Sequence, residues 1–157
     1  MWNDDVIEAI RKAPSGIADW TEFGLDQYDL STQPGRLVAI DAVLGKLKYF
    51  PHEKRGMIAR EIAHRAGIPD KSALMMSSDE VRALRSAGME LGSHTRSHPI
   101  LSGLSEREAE SEIEQGKADL EAILGEGVTS FAYPNGNTQR DLGRRDAEIV
   151  GRCGFVG

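Results

Sequence analysis

His94 and His98 are the residues of this sequence best suited to chemistry; they lie in the run Ser93-His94-Thr95-Arg96-Ser97-His98-Pro99. Their i, i+4 spacing is common for ligands on one helix face. Pro99, however, disfavours helical backbone at the residue before it, so both imidazoles must project from a turn. Neutral imidazole nitrogens suit Zn, and also Co, Ni or Fe, and two of them on one loop supply half a coordination sphere. A third ligand must come from elsewhere. Thr95, small and polar, can hydrogen-bond the loop and hold the rings in place. The plain alternative is a pair of loop histidines bonded to backbone. His52 and His64 stand in charged, helical surroundings without such a frame and read as surface residues. Cys153 is the only cysteine, which rules out an intramolecular disulfide and leaves His, Asp or Glu to build any metal site.

The elements around this loop must deliver it to a productive place. Ser77-Ser78-Asp79-Glu80 is a capping box, predicting a helix from Asp79 to Ala87 that Gly88 stops. Met89 to Ser93 then reads as a strand ending just before His94. A second capping box, Ser105-Glu106-Arg107-Glu108, opens a helix whose Ala109, Ile113, Leu120, Ile123 and Leu124 share one face. Val128 to Tyr133 is the next strand, followed by Pro134-Asn135-Gly136, a helix near Arg145 to Arg152, and a terminal strand at Gly154 to Gly157. The order is βαβαβ, which implies parallel pairing with chemistry gathered at the carboxyl ends of the strands. Both His94-His98 and Tyr133-Pro134-Asn135-Gly136 fall there.

Residues 1–76 have a different texture. Asp4 to Lys12, the series Leu37, Ile40, Leu44 and Leu47, and Lys54 to Arg65 carry helical spacing. Pro14-Ser15-Gly16, Gln33-Pro34-Gly35 and Gly67-Ile68-Pro69-Asp70 read as the breaks between them, and no strand is expected. The domain reading is a helical subdomain over 1–76 and an α/β unit over 77–157.

Composition narrows the function classes. A chain of 157 residues, 39% hydrophobic and 28% charged, has the make-up of a soluble globular protein. The net charge of −6, with no run of Lys or Arg longer than two, gives no electrostatic footprint for nucleic acid. No apolar stretch approaches the roughly 20 residues of a membrane span. The N-terminus Met1-Trp2-Asn3-Asp4-Asp5 lacks the basic and apolar regions of a signal peptide. The lone cysteine agrees with a reducing compartment; the sequence leaves the location open and favours the cytoplasm slightly.

Glu90-Leu91-Gly92-Ser93-His94-Thr95-Arg96-Ser97-His98-Pro99 resembles the second motif of the polysaccharide deacetylase (NodB homology) family, a histidine pair in the frame E-[IL]-G-x-H-[ST]. Ser130-Phe131-Ala132-Tyr133-Pro134-Asn135-Gly136 is similar to the family's third motif, F-R-x-P-Y-G. The resemblance covers Ser77 to Gly157 and implies a partial (β/α) barrel of the deacetylase type, with residues 1–76 as a helical insertion like that of some bacterial members. It implies a hydrolase removing N- or O-acetyl groups from a carbohydrate. A divalent ion would sit on His94 and His98, and Tyr133, Pro134 and Asn135 would form a substrate or oxyanion loop.

The family's first motif, T-F-D-D-G, which brings a base aspartate and a metal-binding aspartate, has no counterpart. Asp4-Asp5 is the only Asp-Asp pair, and it reads as the acidic first turn of a helix. Ala132 stands where the family has an arginine, and Asn135 where it has tyrosine. The expectation is therefore an internal piece holding the metal ligands but no catalytic residue of its own, with base and acid outside it and no turnover alone. Strands cut from a barrel leave open edges, so the expectation is either self-association through them or cover by the helices of residues 1–76. The rival reading is a non-catalytic carbohydrate-binding or interaction module on the same frame.

Overall fold

Asp4 and Asp5 occupy the first turn of α1 (Trp2–Lys12), and Arg11 and Lys12 its last, so both ends complement the helix dipole. Val6, Ala9 and Ile10 form its buried stripe. A short antiparallel hairpin follows, β1 (Ile17–Asp19) and β2 (Gln27–Asp29), in the register Ile17↔Asp29, Ala18↔Tyr28 and Asp19↔Gln27. The sequence reading expected no strand here. Three-residue strands are too short to show a two-residue alternation, and these owe their pairing to packing: Trp20 and Tyr28 lie 5.5 Å apart, and Asp19 accepts from the Gln27 side chain.

Gln33-Pro34-Gly35, read as a break, instead opens α2 (Gln33–Leu47). Proline lacks only an N–H that a first turn leaves unpaired anyway, and the Thr32 hydroxyl caps the helix by accepting from the Gly35 N–H at 3.1 Å. Gly35 is required by contact, because a Cβ there would fall 2.2 Å from the Asp29 carbonyl oxygen. With α3 (His52–Arg65), the helices pack around one apolar core that includes Ile10, Trp20, Leu30, Val43, Leu47 and Ile62. His52 and His64 are exposed on α3.

The computed structural model describes residues 2–68 and 75–156, divided into two compact units between Met75 and Met76. Pro69-Asp70 of the third expected break and Gly157 of the expected terminal strand lie outside the described residues. Among the described residues, no helix is long and apolar enough to cross a membrane.

In the second unit both capping boxes form. Ser77 and Glu80 open α4 (Ser78–Ser86), and Ser105 and Glu108 open α5 (Glu106–Leu124). Gly88 and Gly125 take the left-handed turns beyond the two helices. After α6 (Arg144–Arg152), Phe155 returns to a core with Leu101, Ala109, Ile113, Val128, Phe131 and Ile149. The three expected strands are reduced. A single parallel bridge joins Ser93 to Phe131, and the Val156 N–H donates to the Thr129 carbonyl at 3.0 Å. The described residues thus form a mixed, mainly helical structure with one two-stranded sheet and no barrel. Short segments with few neighbours sustain isolated bridges rather than ladders, and barrel closure needs about eight mutually staggered strands.

Candidate metal centre

The bridge between Ser93 and Phe131 sets the position of the histidine loop. The Ser93 N–H donates to the Ser130 carbonyl at 2.9 Å, and the Ala132 N–H donates to the Ser93 carbonyl at 2.9 Å. Gly92 allows this approach, since a Cβ on it would meet the Ser130 carbonyl oxygen at 3.0 Å. His94 is therefore held at the end of one extended segment, beside the end of the next.

His94 is exposed, and its Nδ1 lies 2.8 Å from the Ala132 carbonyl oxygen. A carbonyl only accepts, so Nδ1 carries the proton in this bond and the neutral ring keeps its lone pair on Nε2. A backbone partner of this kind is what fixes the tautomer and orientation of ligating histidines. His98 is half-buried, and its ring centroid lies 4.8 Å from that of His94 with the planes at 71°. The loop thus brings the two imidazoles side by side.

The backbone between them is unusual. Thr95 and His98 have φ of 64° and 59°, and Asn135 has 64°; among the described residues these are the non-glycine ones in the left-handed region. For a β-branched residue such as Thr95 that conformation is costly, on the order of 1–3 kcal/mol, and clusters of it mark functional sites. At His98 the following Pro99 disfavours the ordinary helical region but leaves extended backbone open, so the left-handed turn is set by the loop's own bonds. The Thr95 hydroxyl accepts from the His98 N–H at 3.1 Å and donates to the His94 carbonyl, tying the two histidines through their backbones.

Helix α5 braces the loop from below. Glu112 accepts from the Arg96 and Ser97 amides and from the Ser97 hydroxyl, and Arg96 reaches along the helix to Gln115 and Asp119. A Cβ on Gly116 would fall 2.7 Å from the Thr95 carbonyl carbon. Sequence reading missed both Glu112 and Gly116. The available signal was Gly116 itself, because a glycine inside a helix costs about 1 kcal/mol against alanine and hints at close packing.

Beyond Ala132, Tyr133 is half-buried and packs edge-on against Phe131 at 5.1 Å. Burial, and secondarily the Asp146 carboxylate, pushes its phenol above the ordinary range. Pro134 is buried, while Asn135 and Gly136 are exposed. Both turn left-handed, and the Gly136 N–H donates to the Pro134 carbonyl at 2.9 Å. Asp146 is buried at the start of α6. It accepts from the Gly143 N–H at 2.8 Å and pairs with Arg145 at 2.6 Å. Arg145 also reaches the Leu101 and Leu104 carbonyls, which anchors α6 to the turn after Pro99.

The pair suits a borderline divalent ion, with one imidazole lone pair already presented by a fixed tautomer. Among the described residues no group of three or more His, Cys, Asp or Glu side chains is placed to hold a metal, and a catalytic zinc usually takes three protein ligands. Asp4 and Asp5 belong to the first turn of α1.

Residues 56–153 match the family described as Polysaccharide deacetylase. The match reaches from α3 through α6 and contains both motifs. No curated protein and no solved structure matches the chain. With more than half its length in that match, the chain belongs to the polysaccharide deacetylase family, hydrolases of acetylated carbohydrate.

Proposed function

We propose that this chain carries the histidine portion of the metal centre of a carbohydrate deacetylase. His94 and His98 ligate a divalent ion, Zn by preference and Co, Ni or Fe as alternatives, while the Thr95 hydroxyl holds the loop. The observation that supports this most is the His94 Nδ1 bond to the Ala132 carbonyl, which reserves Nε2 for a ligand. A third, carboxylate ligand and the catalytic base and acid are assigned to positions outside the described residues. Bound there, the ion would polarise an acetyl carbonyl and lower the pKa of water from about 16 toward 7.

Tyr133, Pro134 and Asn135 form the adjoining loop, for which we propose the substrate-facing role. The Gly136 amide is turned to the Pro134 carbonyl, so the Asn135 amide is the candidate donor to an oxyanion. Single donors of this kind are worth about 3 kcal/mol in other enzymes. In this reading residues 1–76 are a helical insertion or subdomain and residues 77–157 part of a (β/α) barrel. The alternative, a non-catalytic carbohydrate-binding module, draws on Ala132, whose small exposed side chain offers no charge beside the site.

The test is a zinc titration followed through the ring C–H resonances of His94 and His98, paired with an acetate-release assay on acetylated chitooligosaccharides. Both rings should shift together with an affinity weaker than micromolar, and His94→Ala should abolish the response at His98. Submicromolar binding that survives His94→Ala contradicts the site. The 157-residue chain should release no acetate by itself, lacking a placed base and acid. Turnover lost in His98→Ala would place them within it. Glycan binding with neither zinc response nor acetate release would favour the binding module.

A further inference from the structure

We propose that Glu112 is a positioning residue for the metal-binding loop, setting His94 and His98 through the backbone between them; this rests on the reading of those histidines as ligands. The loop from His94 to His98 contains two left-handed non-glycine residues, Thr95 and His98. Such a backbone persists only where its surroundings over-determine it. Glu112 supplies that determination. Its Oε2 accepts from the Arg96 N–H at 3.1 Å and from the Ser97 N–H at 2.8 Å, and its Oε1 accepts from the Ser97 hydroxyl at 2.7 Å. The Arg96 N–H also reaches the Glu112 backbone carbonyl at 3.1 Å.

One turn along α5, Gly116 lets the helix backbone meet the loop directly, with a hypothetical Cβ 2.9 Å from both the Arg96 nitrogen and the Thr95 oxygen. The middle of the loop is therefore pinned to α5 on its amide side. At its ends, His94 is pinned to Ala132 and the His98 amide to Thr95. The Glu112 carboxylate holds backbone amides and a hydroxyl of the loop. Its effect on the imidazoles passes through the two amides it holds, as outer partners of metal ligands act.

The side-chain chemistry separates this role from a general packing role. A glutamine retains one carbonyl oxygen for both amides and an NH₂ that can donate to the Ser97 hydroxyl. An alanine loses all three side-chain bonds and keeps only the backbone carbonyl that the Arg96 N–H also reaches. The 157-residue chain and its Glu112→Ala, Glu112→Gln, Ser97→Ala and His94→Ala variants would be compared by zinc titration on the histidine ring resonances. Hydrogen exchange of the Arg96 and Ser97 amides would be measured without metal. Glu112→Ala should weaken zinc binding by about tenfold or more and speed exchange most at Ser97, since the Arg96 N–H keeps the backbone carbonyl of residue 112, whereas Glu112→Gln should stay within about threefold of the parent.

Unchanged exchange, or unchanged zinc affinity beside a working His94→Ala control, in Glu112→Ala would overturn the proposal. So would equal losses in the alanine and glutamine variants. Should Glu112→Ala fail to fold, Ser97→Ala decides. It removes one of the three bonds, and a parent-like affinity and exchange rate in it would overturn the role. If His94→Ala leaves the zinc response at His98 intact, the ligand reading fails, and the exchange measurements still judge whether Glu112 holds the loop.

Discussion

The two units solve the same problem of ordering a short chain by different means. The first relies mainly on apolar burial, with Arg55 buried as well: Val6, Ala9, Ile10, Ala39, Val43 and Leu47 are wholly inaccessible, and its left-handed residues, among those described, are glycines. The second buries Ser93, Asp141 and Asp146 beside its apolar residues, and places Thr95, His98 and Asn135 in left-handed backbone. Left-handed non-glycine backbone, among the described residues, is concentrated where the family motifs lie. The contrast teaches that the second unit gives up packing economy around its histidines to hold them in one orientation.

The largest expected effect breaks or keeps the first half of that contrast. Leu47→Ala should destabilise the chain by about 2–5 kcal/mol in urea denaturation, because a buried leucine loses its transfer energy and leaves a cavity. A cost below about 1 kcal/mol would mean that burial there is not the organising term.

A smaller effect sharpens the second half. Gly116→Ala places a methyl 2.7 Å from the Thr95 carbonyl carbon. It should cost about 1–3 kcal/mol by overpacking, although alanine is the better helix former. Urea denaturation gives the cost, and the Arg96 and Ser97 amide resonances should move most. A stabilised variant would show that α5 does not press on the loop.

The smallest effect concerns the capping boxes. Backbone and hydroxyl donors of Ser77 hold Glu80 below its ordinary pKa of 4.5, and the hydroxyl and backbone of Ser105 do the same for Glu108. A folded pKa below the unfolded one means the contribution is complete above the unfolded value and is lost as pH falls through it to the folded one. Both carboxylates are exposed, so the change should be a modest shift of the urea midpoint below about pH 4.5. Glu80→Gln with Glu108→Gln should flatten it.

Much of this organisation was legible in the sequence. Ser77 and Ser105, each with a glutamate three residues on, announced α4 and α5, because a capping box is a local exchange of hydrogen bonds that needs no distant partner. Pro99 announced that the histidines stand on a turn, and the two motifs announced the family. Gln33-Pro34-Gly35 misled, since the same residues break a helix or begin one according to whether Thr32 caps them.

Sequence alone determined what depends on neighbours along the chain: the helices, their caps, the non-helical geometry before Pro99 and the pairing of two imidazoles on one loop. Tertiary structure decided what depends on residues far apart. It set β1 against β2, reduced the expected strands to the Ser93–Phe131 bridge, and brought Glu112, Gly116 and the Ala132 carbonyl to the histidines. Hydrogen bonds and close contacts act over a few ångströms, and no pattern in a linear sequence fixes which distant carbonyl or carboxylate comes within that reach.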